Sequence, residues 1–313
     1  MSHKPFNAFH YANNYIANNY IGFQPLHVTG CILMNTSPNQ RIADPTARTS
    51  ATPNDKPSLK LISFNIQVGI QTHAFHHYFT RGWQHILPHH KRNRTLEEIG
   101  RMLRQYDIAA LQEADGGSLR SGFVNQVHFL AETGRFPFHY QQLNRNLGKL
   151  AQHSNGLLSR IPPTSIEDHP LPGVLPGRGA IVTRYGNGHH SLLLIVLHLA
   201  LGTRTQDRQL RYIRKLVQDH EHVVIMGDLN NPLEHLHTRS PLKDLQLQTA
   251  SAQHTYPSWQ PQQTLDHILV SPNLKILNAS VLDCTISDHR PITVEIELPE
   301  ALQYLTKNHH CAR

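Results

Sequence analysis

The pattern of hydrophobic and polar positions changes abruptly near residue 58 of this 313-residue chain. Residues 1–57 are rich in Asn, His, Thr and Pro and show neither a two-residue nor a 3.6-residue hydrophobic period. We therefore expect this N-terminal segment to be disordered or loosely attached. From Ser58 to about Leu298, apolar strands and amphipathic helices follow one another, which predicts a folded domain over 58–298 and a C-terminal tail over 299–313.

Apolar segments predict strands of a mixed α/β domain. The segments are LKLISFNI from Leu59, DIAALQEA from Asp107, LLLIVLHLAL from Leu192, HVVIMGDLN from His222, LDHILVS from Leu265 and HRPITVEIEL from His289. Between them, the spacing of apolar residues predicts helices. One starts near Asn93 or Thr95 and carries Leu96, Ile99, Leu103 and Tyr106, one runs from about Gly122 to Glu132, and one carries Leu210, Ile213 and Val217. Strands and helices that alternate over one span favour a single domain.

Composition narrows the setting of the protein but not its chemistry. Lys and Arg total 29 against 22 Asp and Glu, a net charge of +7 that favours polyanionic partners, although solubility alone explains such a balance. Three scattered cysteines (Cys31, Cys284 and Cys311) form no disulfide framework, which favours a reducing compartment. Neither a membrane-length apolar run nor a signal peptide is evident, so the expected location is the cytoplasm.

Acidic and amide side chains follow two of the predicted strands. Asp228 and Asn230 stand in IMGDLNNP, and Glu113 ends the strand in ALQEAD. Residues at the carboxyl ends of strands meet in one crevice, where such oxygen groups can hold a hard cation or orient a water. Taken alone, the motif of Asp228 and Asn230 is explained about equally well by an Asx-rich turn, and Glu113 is explained better by a solvated strand end.

Histidines accompany these groups near other strand ends. His198 lies in LLLIVLHLAL, either as a core residue or as a group that reaches the crevice and acts on a phosphate. Asp266 precedes His267, and Asp288 precedes His289. Because neighbouring residues of a strand point to opposite faces, we predict that Asp266 pairs with His289 from the other segment.

Taken together, these motifs resemble the endonuclease/exonuclease/phosphatase superfamily, which includes pancreatic-type deoxyribonucleases, abasic-site endonucleases, inositol-phosphate phosphatases and neutral sphingomyelinases. The resemblance rests on their order along the chain: FN at Asn65, QE at Glu113, NGLLSR from Asn155, LH at His198, GDLN at Asp228, LDHILVS at Asp266 and SDHRP at Asp288. It implies a four-layer α/β/β/α sandwich of two stacked mixed sheets flanked by helices, with the site at one edge.

The resemblance also implies roles for these residues. Asn65, Glu113 and Asp288 would hold Mg²⁺, with Mn²⁺ as an alternative. Asp228 and Asn230 would orient the nucleophilic water and the phosphate. His289, held by Asp266, would be the general base or would polarise the phosphate, and His198 would bind the phosphate or assist the leaving oxygen. Asn155 and Arg178, the latter in PGRGAIV, would contact the substrate, although Arg178 fits a plain surface position equally well.

Two departures favour the bacterial branch of this superfamily that resembles enzymes acting on lipid or small-molecule phosphodiesters. His198 stands where abasic-site endonucleases usually carry Tyr, and the chain lacks the signal peptide and disulfide of secreted deoxyribonucleases. We therefore expect a Mg²⁺-dependent phosphodiesterase or phosphatase acting on a small-molecule or phospholipid phosphate ester. The alternatives are a DNA or RNA nuclease and a catalytically inactive binding module. Nucleic acid and a peripheral membrane contact stay open as partners, as does the oligomeric state.

Overall fold

The computed structural model describes residues 56–69, 91–146, 152–173, 177–188 and 190–307, so the expectation for the segment 1–57 lies almost entirely outside the described residues. The described strands are β1 (Ser58–Asn65), β2 (Ile108–Asp115), β3 (Phe138–Asn146), β4 (Gln152–Ser159), β5 (Ser165–Pro170), β6 (Gly179–Asn187), β7 (His190–His198), β8 (His222–Asp228), β9 (Gln248–Thr249), β10 (Asp266–Val270), β11 (Ile276–Val281) and β12 (Ile292–Glu297). The described α-helices are α1 (Lys91–Leu103), α2 (Gln126–Gly134), α3 (Thr203–Val217), α4 (Leu233–Thr238) and α5 (Tyr304–Lys307).

These strands form two six-stranded mixed sheets. The order is β11-β12-β1-β2-β4-β3 in one sheet and β5-β6-β7-β8-β10-β9 in the other. β1 and β2 are parallel in the first sheet, β7 and β8 are parallel in the second, and the remaining pairs are antiparallel. With helices packed on the outer faces, this confirms the predicted four-layer sandwich.

Apolar side chains on both faces of the central strands hold the layers together. Leu61 of β1 and Met226 of β8 belong to a cluster that is buried between the sheets. Ile62, the next residue along β1, packs on the opposite face with Leu96 of α1. In the second sheet, Ile225 of β8 packs in the same way with Ile213 of α3 on the outer face. Because these strands are buried on both faces, they are continuously apolar in sequence.

Helix limits differ modestly from those expected. α1 ends at Leu103, so Tyr106 lies beyond it, and α2 begins at Gln126 rather than near Gly122. Asn125 sets that start, because its side chain accepts a hydrogen bond from the backbone nitrogen of His128. Before it, the chain makes a short 3₁₀ turn at Leu119–Ser121.

The C-terminal part of the described chain packs on the domain. Leu302 and Leu305, which follow the predicted boundary at Leu298, are buried with the residues between the sheets. The boundary itself stays a prediction, but these two leucines contribute to the core. None of the helices in the described ranges is long and apolar enough to cross a membrane.

Candidate active site

The last residue of β8, Asp228, lies at the carboxyl ends of the central strands of both sheets. Its side chain is 2% exposed. Gly227 precedes it at a φ of 149°, and a Cβ there would collide with the carbonyl oxygen of Leu197 on β7. Glycine therefore allows β7 and β8 to approach closely where both strands reach the crevice.

Both carboxylate oxygens of Asp228 face polar groups from other elements. Oδ1 accepts a hydrogen bond of 2.9 Å from the backbone nitrogen of Asn230. Oδ2 accepts one of 3.1 Å from Nδ2 of Asn65, at the end of β1. Nε2 of His198 lies 3.4 Å from Oδ2, and Nε2 of His289 lies 3.9 Å from it. Residues from both sheets thus converge on this carboxylate.

Burial raises the pKa of Asp228 to about 7, because removal from water disfavours the ionised form. The carboxylates of Asp266 and Glu113 raise it further, while His289 and the backbone nitrogen of Asn230 oppose the shift. An Asp with such a pKa exchanges its proton near neutral pH.

Asp266 and His289 form the pair that the strand pattern predicts. Nδ1 of His289 lies 2.8 Å from Oδ2 of Asp266, whose side chain is fully buried. Burial lowers the pKa of His289, but the carboxylates of Asp266, Asp228 and Asp288 outweigh it and hold that pKa well above 6.5. His267 points the other way, where Nε2 lies 2.8 Å from the carbonyl oxygen of Asn231.

Glu113 reaches the site through an irregularity in β2. The register between β2 and β4 shifts between Leu111 and Ala114, and Glu113 adopts a left-handed φ of 56°. The resulting bulge aims its carboxylate at the crevice. Burial raises the pKa of Glu113, and so does Asp288, which is 5% exposed. These two carboxylates are therefore close enough to repel each other.

The donor atoms of Glu113, Asp288 and Asn65 decide whether these residues fit a divalent cation. Glu113 and Asp288 supply carboxylate oxygens, the ligands that Mg²⁺ prefers. Asn65 departs from the expected ligand geometry, because its Oδ1 accepts from the backbone nitrogen of Gln67 at 3.2 Å and its Nδ2 faces Asp228. Ligation by Asn65 therefore stays a prediction, whereas the two carboxylates fit a hard cation.

A second donor group lies beside these carboxylates. In the part of the chain that the structure describes, one set of three metal-type residues has donor atoms within 4.8 Å of one another: Asp228, Asp266 and His289. His289 is already bonded to Asp266, and its raised pKa keeps it protonated, whereas an imidazole must be neutral to bind a metal ion. Glu113 and Asp288 therefore stay the predicted ligands of the cation.

A family model described as "Endonuclease/Exonuclease/phosphatase family" matches residues 62–289. The chain belongs to the endonuclease/exonuclease/phosphatase family. Members of this family are hydrolases that act on phosphate esters, and they generally depend on divalent metal ions. The matched range includes all the site residues described above.

Solved structures of this family share the fold at low sequence identity. An endonuclease/exonuclease/phosphatase from Beutenbergia cavernae is 18% identical with a TM-score of 0.57, over 78% of this chain and 72% of that one. A mannosyl-6-phosphatase from Bacteroides thetaiotaomicron is 17% identical with a TM-score of 0.56, over 77% of this chain and 100% of that one. D. rerio TDP2 complexed with a single-strand DNA product is 15% identical with a TM-score of 0.56, over 77% of this chain and 99% of that one. No curated protein sequence matches the chain.

Two further predicted residues of this family member are Arg178 and Asn155. Burial lowers the pKa of Arg178, while the carboxylates of Asp228 and Glu113 oppose that shift, so the guanidinium lies within electrostatic range of both. Asn155 is buried, and its Nδ2 donates to the carbonyl oxygen of Gly179 at 3.0 Å. Its Oδ1 is buried without a hydrogen-bond partner. Asn155 thus supports the backbone next to Arg178.

His198 lies in the site, as one of its two sequence interpretations expects. It is 7% exposed and near Asp228. Burial lowers the pKa of His198 well below 6.5, and the charges of Arg178, His289 and His153 lower it further. This imidazole is therefore neutral at physiological pH.

Sequence reasoning missed two further groups at the site. His153 of β4 influences the pKa of His198, and the ring of Tyr256 lies 4.8 Å from that of His289 at an interplanar angle of 46°. The loop that carries Tyr256 also fixes both motifs beside it. Oγ1 of Thr255 accepts from the backbone nitrogen of Asp266 at 3.3 Å, and the backbone nitrogen of Ser258 donates to the carbonyl oxygen of Asp288 at 2.7 Å.

Proposed function

We propose that this protein is a Mg²⁺-dependent phosphoesterase that hydrolyses a phosphate ester by direct attack of an activated water. The observation that carries the proposal is the buried carboxylate of Asp228, which lies within 4 Å of Asn65, His198 and His289 and has a pKa of about 7. General bases work best when their pKa lies near the operating pH. Family membership supports the same class of reaction.

Asp228 is the proposed general base, and His289 is the proposed donor to the phosphate. With a pKa of about 7, Asp228 is partly ionised at neutral pH and can accept a proton from the attacking water. His289 is held protonated by Asp266 and so has no free lone pair to accept one. Its Nε2–H instead donates to a phosphoryl oxygen and stabilises negative charge that builds there in the transition state. Asn230 orients the water beside Asp228.

Two further groups complete the phosphate contacts. Neutral His198 offers a ring nitrogen next to Asp228, from which it binds a phosphoryl oxygen or assists the leaving oxygen. Arg178 adds a positive charge within electrostatic range of Asp228, and Asn155 holds the backbone beside it. A guanidinium suits phosphate because its donors form a planar fork.

The ion would be held by Glu113 and Asp288, with Asn65 beside them. When bound, Mg²⁺ or Mn²⁺ neutralises charge on the phosphoryl oxygens, which is the main demand of such a transfer. Burial raises the pKa of Glu113 and the carboxylate of Asp288 raises it further, which supports a cation that would offset the repulsion between the two carboxylates.

For the substrate we propose a small-molecule or phospholipid phosphodiester or monoester. The fold is shared with a mannosyl-6-phosphatase, which is compatible with a small phosphate ester. The second candidate is a nuclease, favoured by the net charge of +7 and by the fold shared with TDP2 bound to a single-strand DNA product. An inactive binding module is disfavoured, because the acidic and histidine groups are all present in one crevice. Cytoplasmic location stays a prediction.

A substrate panel tests this proposal. Purified protein is incubated with Mg²⁺, with Mn²⁺ or with chelator against a chromogenic phosphodiester, a phosphomonoester, phospholipid vesicles and plasmid DNA. We expect cation-dependent turnover of a small or lipid ester that exceeds cleavage of DNA. Preferred cleavage of DNA would favour the nuclease, and full turnover in chelator would contradict the metal-dependent mechanism.

A further inference from the structure

A buried glutamine of α3 connects the two loops that leave β7 and β8. Gln206 is 2% exposed. Its Nε2 donates to the carbonyl oxygen of Asn230 at 2.6 Å and to that of Ala200 at 2.8 Å. Its Oε1 accepts from Nδ2 of Asn231 at 2.9 Å. Because backbone carbonyls only accept, these partners fix which end of the amide is nitrogen.

This amide acts on the residue that holds Asp228. Asn230 has a left-handed φ of 48°, a conformation that Asn adopts more readily than other non-glycine residues and that the hydrogen bonds around it hold in place. In that conformation its backbone nitrogen donates to Oδ1 of Asp228 at 2.9 Å, and its Nδ2 donates to the carbonyl oxygen of Leu199 at 3.0 Å. Oδ2 of Asp228 then faces Asn65, His198 and His289.

Gln206 also fixes the loop after His198. Ala200 lies two residues beyond His198, and its backbone nitrogen donates to Oε1 of Gln209, one turn along α3, at 2.9 Å. The backbone nitrogen of Leu199 donates to the carbonyl oxygen of Asp228 at 3.0 Å. The ends of β7 and β8 are therefore held to each other and to α3.

We infer that Gln206 is a positioning residue for catalysis: it holds Asn230 in the conformation that orients the carboxylate of Asp228 towards the reacting water. It touches neither substrate nor cation, and it acts through the backbone of Asn230. The kinetic part of its test rests on the proposed phosphoesterase activity.

The test compares two substitutions with a matched control. Gln206→Leu removes both ends of the amide, and Gln206→Glu keeps its shape but removes the donor. Gln248 is the control, because its Nε2 also donates to backbone carbonyl oxygens, those of Ser271, Pro272 and Leu274, at 3.3, 3.1 and 3.3 Å. These carbonyls follow the end of β10 that is opposite to Asp266.

We expect both Gln206 variants to lose roughly 10- to 100-fold in kcat with KM little changed, because a displacement of about 1 Å at a reacting group costs on this order. Gln248→Leu should lower the melting temperature and leave kcat unchanged. A readout that does not depend on activity is hydrogen exchange at the backbone N–H of Asn230. This exchange should accelerate in both Gln206 variants and not in the control.

Three outcomes would overturn the inference. They are an unchanged kcat in the Gln206 variants, a raised KM at constant kcat, and failure of both variants to fold, which would show a purely structural role. If the unmodified protein has no turnover, the proposed function fails, and the exchange of the Asn230 amide alone then decides the role of Gln206.

Discussion

Replacing Asp266 by Asn tests the electrostatic pair at the base of the site. The two side chains are nearly isosteric, so Asp266→Asn removes the charge that faces His289 and keeps an oxygen acceptor for its Nδ1. The partners are 0% and 8% exposed and 2.8 Å apart. Loss of a buried charge-assisted hydrogen bond costs about 1.5–3 kcal/mol of unfolding free energy. For a domain of this size that lowers the melting temperature by about 3–12 °C.

The pH dependence of this decrease in unfolding free energy is a more specific test. The folded-state pKa of His289 is raised above its ordinary value of 6.5. Its contribution to stability is therefore fully present below about pH 6.5 and is lost as the pH rises through the folded-state pKa. We expect the stability difference between the original protein and Asp266→Asn to be largest near pH 6 and to shrink as the pH rises.

Urea unfolding of both proteins in chelator, at a series of pH values from 5.5 to 9, measures this difference directly. Turnover with Mg²⁺ should fall by about 10²–10³ in the same variant, the usual loss when a hydrogen-bond donor to the transition state is disabled. A stability difference that stays constant or grows as the pH rises would refute the assignment of His289 as a protonated donor.

Further predictions concern the cation, His198, the helix ends and the N-terminal segment. Mg²⁺ should raise the melting temperature of the original protein but not of Glu113→Gln; an equal rise in calorimetry would exclude Glu113 as a ligand. His198→Ala should lower kcat by about 10²–10³, and a destabilised but fully active variant would return His198 to a core role. Arg160 donates to the carbonyl oxygens of Arg104, Tyr106, Gly134 and Arg135, so Arg160→Lys should cost about 1.5–3 kcal/mol of stability at unchanged turnover per folded molecule, measured by urea titration and assay. Removal of residues 1–56 should leave turnover and the melting temperature unchanged; precipitation would contradict this.

The central strands were predictable because burial on both faces makes them continuously apolar. Six strands correspond to the apolar segments that the sequence predicts as strands: β1, β2, β7, β8, β10 and β12. The edge strand β5 was not predictable, because its sequence SIEDHP has only exposed or half-buried residues and no apolar alternation. Likewise β3 has the polar sequence FHYQQLNRN, and it is a strand because β4 pairs with it. Tertiary pairing decides such segments.

The site divides in the same way. The pairing of Asp266 with His289 was predictable, because adjacent residues of a strand cannot share a face and the partner therefore had to come from the other segment. The amide orientation of Asn65 was not, since it depends on the backbone nitrogen of Gln67 after a left-handed turn. Tyr256 and Gln206 reach the site through loop and helix packing, which leaves no period in the sequence.

The most direct test of the central claim is turnover of a phosphate ester by the unmodified protein and by Asp228→Asn, measured with Mg²⁺ at pH 7.5 on a chromogenic phosphodiester and phosphomonoester. Circular dichroism first establishes that both proteins are folded. We predict cation-dependent release of the leaving alcohol by the unmodified protein and a rate at least about 10²-fold lower for Asp228→Asn. Equal turnover by the two folded proteins would contradict a phosphoesterase site that is centred on Asp228.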